Sequence, residues 1–259
     1  MKLRTNTDEG RSIFAGIAVL WPWILVLIAW CLILVASSTN HLLWIDHTYL
    51  LSTSHLPWFV ACLAFLASWQ LMTVAMMLPS TFSMFSHITV SSLTRGSLWI
   101  AQVMFLFAYA AVWTIFALVA FVSDTLLHQV VKQWFWLYSH SWLIGTTLLI
   151  IAGCFQFSPL KRWCLQHCVN PSSLCALDDQ HTVRSAGYLG WRYGWFCLGS
   201  CWALMFVLFS LGGKSLLGMA LLAVAVLLEK ETPSGQHIRP IIGVALLLLA
   251  ALWWAFSGL

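Results

Sequence analysis

The sequence predicts an all-α fold, a polytopic bundle of about seven transmembrane helices whose N-terminus lies in the cytoplasm. The first observation behind this prediction is composition: 61% of the 259 residues are apolar and only 8% are charged. Soluble domains carry roughly 25% charged residues, so a soluble fold could not cover this much apolar surface. The second observation is that the charges collect between long apolar segments. Lipid is therefore the predicted environment of the outer surface.

A helix crosses the hydrocarbon layer with roughly 20 apolar residues, because each residue rises about 1.5 Å. Segments that fit or approach this length recur along the whole chain, which we interpret as one integral membrane domain over residues 1–259. The predicted spans are 13–36, 58–78, 98–122, 141–158, 193–211, 215–229 and 240–258. Pro79, Pro159 and Pro240 fall at predicted span edges, where a missing backbone N–H does least damage.

The basic residues predict the orientation, because cytoplasmic loops of membrane proteins are enriched in Lys and Arg. With the N-terminus inside, Lys132 and Lys214 are the two basic residues of the twelve that fall outside. The other ten fall inside, namely Lys2, Arg4, Arg11, Arg95, Lys161, Arg162, Arg184, Arg192, Lys230 and Arg239. This bias places the segments 37–56 and 123–140 on the outer side.

The first outer segment contains His41, Asp46, His47 and His55. These side chains could form a metal site, but the simpler interpretation is a polar loop beside aromatic residues at the membrane interface.

Several chemical functions are excluded or disfavoured. The net charge of +4 without a dense basic cluster excludes a nucleic-acid partner. No nucleotide or flavin motif is present. No acidic or basic residue falls at mid-span, which disfavours a proton-coupled carrier.

Two Cys-x-x-x-Cys pairs are the sharpest candidate for chemistry: Cys164/Cys168 and Cys197/Cys201. On a helix, residues four apart share a face with their Cβ atoms about 6 Å apart, so two thiolates can bind one soft ion. The first pair lies on a short interfacial segment that ends at 170–171, and the second opens the fifth span. His167 falls within the first pair as a further candidate ligand.

Methionines add to this pattern, since Met72 and Met76 share one face of the second span with Trp69. The thioether is a soft, neutral ligand suited to Cu(I). The predicted topology brings these methionines and both cysteine pairs to within roughly 15 Å of the cytoplasmic face. The alternative is packing, because Cys behaves as a small apolar residue and Met fills gaps between helices. Spacing alone leaves both alternatives open.

Five different motifs follow one another along the chain. The first is Met72-x-x-x-Met76-Met77-x-Pro79-Ser80 and the last is Glu229-Lys230. Between these two lie Tyr109-x-x-x-Trp113-x-x-Phe116, Gln156-x-x-Pro159-Leu160-Lys161-x-x-Cys164-Leu165-x-x-Cys168-x-x-Pro171 and Gly194-x-x-Cys197-Leu198-Gly199-x-Cys201-Trp202-x-Leu204-Met205. As a set they resemble a bacterial family described as predicted metal-binding integral membrane proteins, domain of unknown function 2182. The resemblance covers about residues 69–243. One departure is Ser200, which stands where that family commonly has a third cysteine in the motif.

Together with the cysteine and methionine patterns, the resemblance implies a protein of the bacterial inner membrane that binds or handles a soft metal ion, and the thioethers favour Cu(I) over Zn(II). The ligands expected are Cys164, Cys168, Cys197 and Cys201, with His167, Met72 and Met76 as auxiliaries. The expected partners are the lipid bilayer and a metal donor or partner membrane protein. Two alternatives stay open: a non-catalytic accessory subunit of a larger membrane complex, and a subunit or assembly factor of a membrane metallo-oxidoreductase. No catalytic residue is assigned.

Overall fold

The computed structural model describes residues 3–38, 57–84, 95–134, 136, 140, 142–169, 183–210, 216–232 and 235–257. These residues are helical almost throughout, which confirms the predicted all-α class. The helices are α1 (Leu3–Ser38), α2 (Trp58–Met77), α3 (Arg95–Gln133), α4 (Trp142–Gln156), α5 (Pro159–Val169), α6 (Val183–Ser210), α7 (Leu216–Glu231) and α8 (Gly235–Ser257). A 3-10 turn, Pro79–Thr81, follows α2. The segment with the predicted His41, His47 and His55 lies outside the described residues.

Four of these helices contain stretches long and apolar enough to cross a membrane: Leu20–Ser38, Trp58–Met77, Leu98–Val131 and His237–Phe256. A fifth candidate arises if α4 and α5, which meet at a bend of 65°, form one broken span. The predicted fifth and sixth spans correspond to α6 and α7, which are not among these candidates. α6 carries Arg184 and Arg192, and α7 has only 16 residues.

The prediction of a loop at residues 123–140 was wrong for its first part, because α3 continues to Gln133. The stretch 123–133 contains neither Gly nor Pro, so nothing in its backbone chemistry ends the helix after the apolar span. Asp124, predicted in that loop, is buried.

Pro240 lies inside α8 rather than at its edge. The segment after Pro159 that was predicted to lie at the interface forms the short helix α5.

α6 occupies the centre of the bundle, packed most extensively on α3 and also against α4, α5 and α7. Glycines make the α6–α3 approach close. A Cβ at Gly194 would lie 3.0 Å from the Val112 side chain, and a Cβ at Gly190 would collide with the backbone of Phe105. Small residues four apart allow helix axes to approach in this way in membrane bundles. α2 packs on α1, α3 and α7, and α8 packs on α4 and α7.

Of the three glutamines Gln70, Gln102 and Gln156, two take part in hydrogen bonds between helices. Gln70 donates to the Thr114 hydroxyl (2.6 Å), and the Trp21 indole donates to Gln102 (2.9 Å). The third, Gln156, is buried, and neither end of its amide has a hydrogen-bond partner among the described residues. The outward faces carry large exposed apolar side chains such as Phe107 and Phe256. Such a surface is consistent with contact to lipid.

Candidate metal centre

The cysteines of α6 lie on its buried inner face. Cys197 and Cys201 are fully buried, and their side chains share a hydrogen bond, as the one-turn spacing allows. Ser200 lies beside them: its hydroxyl donates to the Cys197 carbonyl (2.8 Å) and lies 3.3 Å from the Cys201 Sγ. The position where the resembling family has an extra cysteine is therefore part of the cluster, occupied here by a hydroxyl.

The second cysteine pair reaches this face from α5, the short helix that bends away from α4 and packs against α6. Gly199 makes room for it, since a Cβ at this position would lie 2.7 Å from the Cys164 Sγ. Cys168 interacts electrostatically with Cys164 and Cys201 and hydrogen-bonds with Ser200. All four side chains are buried. The two pairs therefore lie together, although they are far apart in sequence.

A buried lysine completes the surroundings of Cys197. The Lys230 ammonium, from α7, donates to the Cys197 Sγ (3.0 Å) and to the Ser80 hydroxyl (3.1 Å). The Tyr109 hydroxyl lies 3.2 Å from the same sulfur, and the Tyr193 hydroxyl donates to the Ser80 carbonyl (2.7 Å). Cys197 thus has polar neighbours from three helices in an otherwise apolar core. Lys230 also interacts electrostatically with Cys201 and Cys168.

A second buried cation lies next to the cysteines and is paired. The Lys161 ammonium and the Glu229 carboxylate form an ion pair of 2.7 Å with side chains 0% and 1% exposed. This pair joins α5 to α7, and Lys161 also interacts electrostatically with Cys201. Three successive charged residues at a helix end, Glu229 to Glu231, are typical of a solvated position, but Glu229 and Lys230 are buried. Both are buried because α5, α6 and the 3-10 turn supply their partners.

The methionines lie in the same apolar core as the α6 cysteines. Met72, Met76 and Met205 are buried and belong to the cluster that includes Cys168, Cys197 and Cys201. Met72 and Met76 are on α2, which packs on α3 and α7. Their thioethers are thus shielded from solvent inside the bundle.

His167 has a different environment from the neighbouring cysteines. Its ring stacks on Phe196 with centroids 4.7 Å apart and also packs against Trp163. Its Nδ1 lies 2.9 Å from the Trp163 carbonyl oxygen. These contacts hold the imidazole among aromatic rings on the partly exposed side of α5.

The donor chemistry of the cluster fits a soft monovalent ion, since thiolates and thioethers are the ligands that Cu(I) prefers. Within the described residues, however, no group of three or more His, Cys, Asp or Glu side chains is arranged to hold a metal ion. Cys197 is instead engaged by Lys230 and Tyr109. Coordination by three or four of the thiols therefore requires side chains to move, whereas the adjacent Cys197 and Cys201 form a ready pair.

The polar neighbours of Cys197 were not predicted as site residues from sequence. The motifs that carry the family resemblance include Ser80, Tyr109, Glu229 and Lys230. Membership of these motifs was the one sequence feature that could have marked them as site residues. Their spacing carried no signal, because Ser80 and Lys230 are separated by 150 positions.

Comparison with known protein families agrees with this donor set. Residues 66–253 match the model of the PpoB2 family, which is described as a copper chaperone. No curated protein and no solved structure matches the chain. The matched range runs from within α2 to within α8 and includes every cysteine, methionine and lysine of the cluster. Because the match covers well over half of the sequence, the chain belongs to the PpoB2 copper chaperone family.

Proposed function

We propose that this chain is an integral protein of the bacterial inner membrane that binds Cu(I) as its cargo near the cytoplasmic face. Four to five helices suited to crossing a membrane and the exposed apolar faces support the membrane environment. Seven spans with a cytoplasmic N-terminus agree with the distribution of Lys and Arg. Membership of a copper chaperone family supports the cargo.

The observation that carries the proposal is the meeting of the two cysteine pairs inside the bundle. Cys197 and Cys201, whose side chains are hydrogen-bonded, form the primary pair. Cys164 and Cys168 approach from α5 and complete the candidate ligand set. Packing alone does not account for the polar side chains around these thiols, since an apolar core would be filled at lower cost by apolar residues.

Copper is favoured over zinc by the methionines. Zn(II) takes thiolate, imidazole and carboxylate ligands, whereas thioethers add affinity for Cu(I). Met72 and Met76 are buried in the same core and serve as auxiliaries in this proposal. The contacts of His167 with Phe196 and Trp163 favour a packing role for that residue. We expect a metal donor or acceptor protein as partner, and no catalytic step is assigned to the chain.

The test is the copper content of the detergent-purified protein loaded anaerobically with Cu(I). We expect the wild type to retain Cu(I), and a variant with Ser at Cys164, Cys168, Cys197 and Cys201 to lose it. The matched control replaces the three described cysteines outside the cluster, Cys31, Cys62 and Cys154, by Ala. That control should keep the wild-type copper content.

The same experiment separates copper binding from the role of a non-catalytic accessory subunit. If the four-cysteine variant and the wild type bind equal copper, the thiols pack the core and an accessory subunit of a larger complex becomes the better interpretation.

In a double variant with Leu at Met72 and Met76, the volume is conserved, so stability should change by less than about 1.5 kcal/mol. We expect weaker Cu(I) binding in a chelator competition, and unchanged affinity would assign the methionines to packing.

A further inference from the structure

Lys230 is a buried cation whose hydrogen-bond partners among the described residues are Ser80 and Cys197. The residue is 5% exposed, and its ammonium donates to the Cys197 Sγ at 3.0 Å and to the Ser80 Oγ at 3.1 Å. A charge held away from water requires an opposite charge nearby, because its desolvation is costly. Among the residues that the structure describes, the group in hydrogen-bond contact with Lys230 that can carry a negative charge is the thiol of Cys197.

The neighbouring carboxylates do not serve that purpose. Glu229 is engaged at 2.7 Å by Lys161, which leaves that pair neutral. Glu231 interacts electrostatically with Lys230, but it is exposed at the end of α7, where solvent screens it. The positive charge of Lys230 is therefore a fixed part of the surroundings of Cys197 and Cys201.

We propose that Lys230 determines the metal preference of the cysteine site, favouring monovalent over divalent cargo. The inference rests on the proposed function, because it concerns the ion that Cys197 and Cys201 bind. Two thiolates and one Cu(I) carry one negative charge together, and Lys230 neutralises it. Two thiolates and one Zn(II) are neutral by themselves, so Lys230 then remains as an uncompensated buried cation. The buried site tolerates the first arrangement and penalises the second.

The structure supports counting two thiolates rather than four. No group of three or more His, Cys, Asp or Glu side chains among the described residues is arranged to hold a metal ion. Cys197 and Cys201 are counted as the two thiolates and Cys164 and Cys168 as protonated thiols, because a third thiolate would make the Zn(II) complex with Lys230, rather than the Cu(I) complex, the neutral one. Ser200 stands between the pairs as a hydroxyl, so this chain has no additional thiolate there with which to balance a divalent ion.

The experiment measures Cu(I) and Zn(II) affinities of the detergent-purified protein by competition with chelators under anaerobic, reducing conditions. Replacing Lys230 by Met or by Gln removes the charge, and the Gln variant keeps a hydrogen-bond donor should the Met variant fail to fold. Without the lysine, the copper complex keeps a buried negative charge and the zinc complex becomes neutral. We expect Cu(I) affinity to fall and Zn(II) affinity to rise, changing their ratio by about 100-fold or more.

Two controls isolate the charge at this position. Lys230→Arg keeps the positive charge and should keep the ratio within about tenfold of the wild-type value. Arg192→Met removes one positive charge from α6, where the guanidinium lies over the Tyr188 ring rather than among the thiols, and should leave the ratio unchanged. A wild type that binds Cu(I), with the same ratio in both neutral variants, overturns the role of Lys230 alone. A wild type that binds no Cu(I) overturns the proposed function.

Discussion

At the scale of single residues, the candidate site depends on which polar atoms surround one sulfur. Cys197 has the Lys230 ammonium and the Tyr109 hydroxyl within 3.2 Å, together with a hydrogen bond to the Cys201 side chain. Polar groups in a buried position are tolerated when they satisfy one another. Their presence here, where leucine would pack at lower cost, is the strongest sign that this part of the bundle performs a function.

Gly199 permits a prediction about Cys164. The variant Gly199→Ala places a methyl group 2.7 Å from the Cys164 Sγ, so the thiol must turn away from α6. If Cys164 is a ligand, we expect Cu(I) affinity to fall by about tenfold, corresponding to the loss of roughly 1.4 kcal/mol of binding free energy. The measurement is a chelator competition with purified protein.

The matched control for this variant is Gly187→Ala on the same helix. A Cβ at Gly187 lies 3.7 Å from the nearest atom of Met104, an ordinary contact, so this control should retain wild-type copper affinity. Equal affinity in Gly199→Ala and Gly187→Ala would remove Cys164 from the ligand set and leave the α6 pair in place.

At the scale of helices, α5 is the element that assembles the site. It begins at Pro159 after a 65° bend, which turns the chain from the end of α4 across α6. Its inward face carries Lys161, Cys164 and Cys168, spaced three and four residues apart, so one helical stripe supplies both the ion pair and the second cysteine pair. Docking of α5 therefore couples the Lys161–Glu229 ion pair to the position of the thiols.

This coupling predicts the effect of breaking the ion pair. Glu229→Gln keeps the shape of the side chain but leaves the Lys161 ammonium buried without its partner. Removing one member of a buried pair costs about 3 kcal/mol or more, so the thermal midpoint in detergent should fall. The double variant Lys161→Met/Glu229→Leu leaves no unpaired charge and should recover most of the stability. A midpoint unchanged by Glu229→Gln would show that the pair is not buried as described.

At the scale of the whole molecule, the number of spans decides on which side the loops lie. Seven spans from a cytoplasmic N-terminus place both the segment 211–215 and the C-terminus outside. Five spans, formed without α6 and α7, also place the C-terminus outside but leave 211–215 in the cytoplasm. A C-terminal reporter alone therefore separates odd from even numbers of spans, and a second position is needed to separate seven from five.

We predict that a reporter active only in the cytoplasm gives no signal at either position. One fusion follows Leu259, and the other is an insertion at Lys214. Signal at Lys214 alone would support five spans, with α6 and α7 not crossing individually. Signal after Leu259 would contradict an odd number of spans. A fusion at the N-terminus is the positive control, since the excess of Lys and Arg places that end inside.

The sequence by itself determined the fold class and the cysteine pairs. Composition and long apolar segments were sufficient to predict an all-helical chain of the membrane type. Apolar side chains transfer favourably from water into lipid, and a run of them can be recognised in the sequence without knowing the fold. Each Cys-x-x-x-Cys pair was likewise predictable, since helix geometry alone places residues four apart on one face. The length of α3 was missed, because polar residues after an apolar segment end a span without ending a helix.

Only the tertiary structure determined which polar groups surround the thiols. Lys230 follows Glu229 and precedes Glu231 in sequence, a pattern typical of a solvated helix end. It is instead buried because Ser80, 150 positions away, and Cys197, 33 positions away, provide partners for its ammonium. The burial of a charge depends on the groups that other helices bring to it, and no local pattern records those groups.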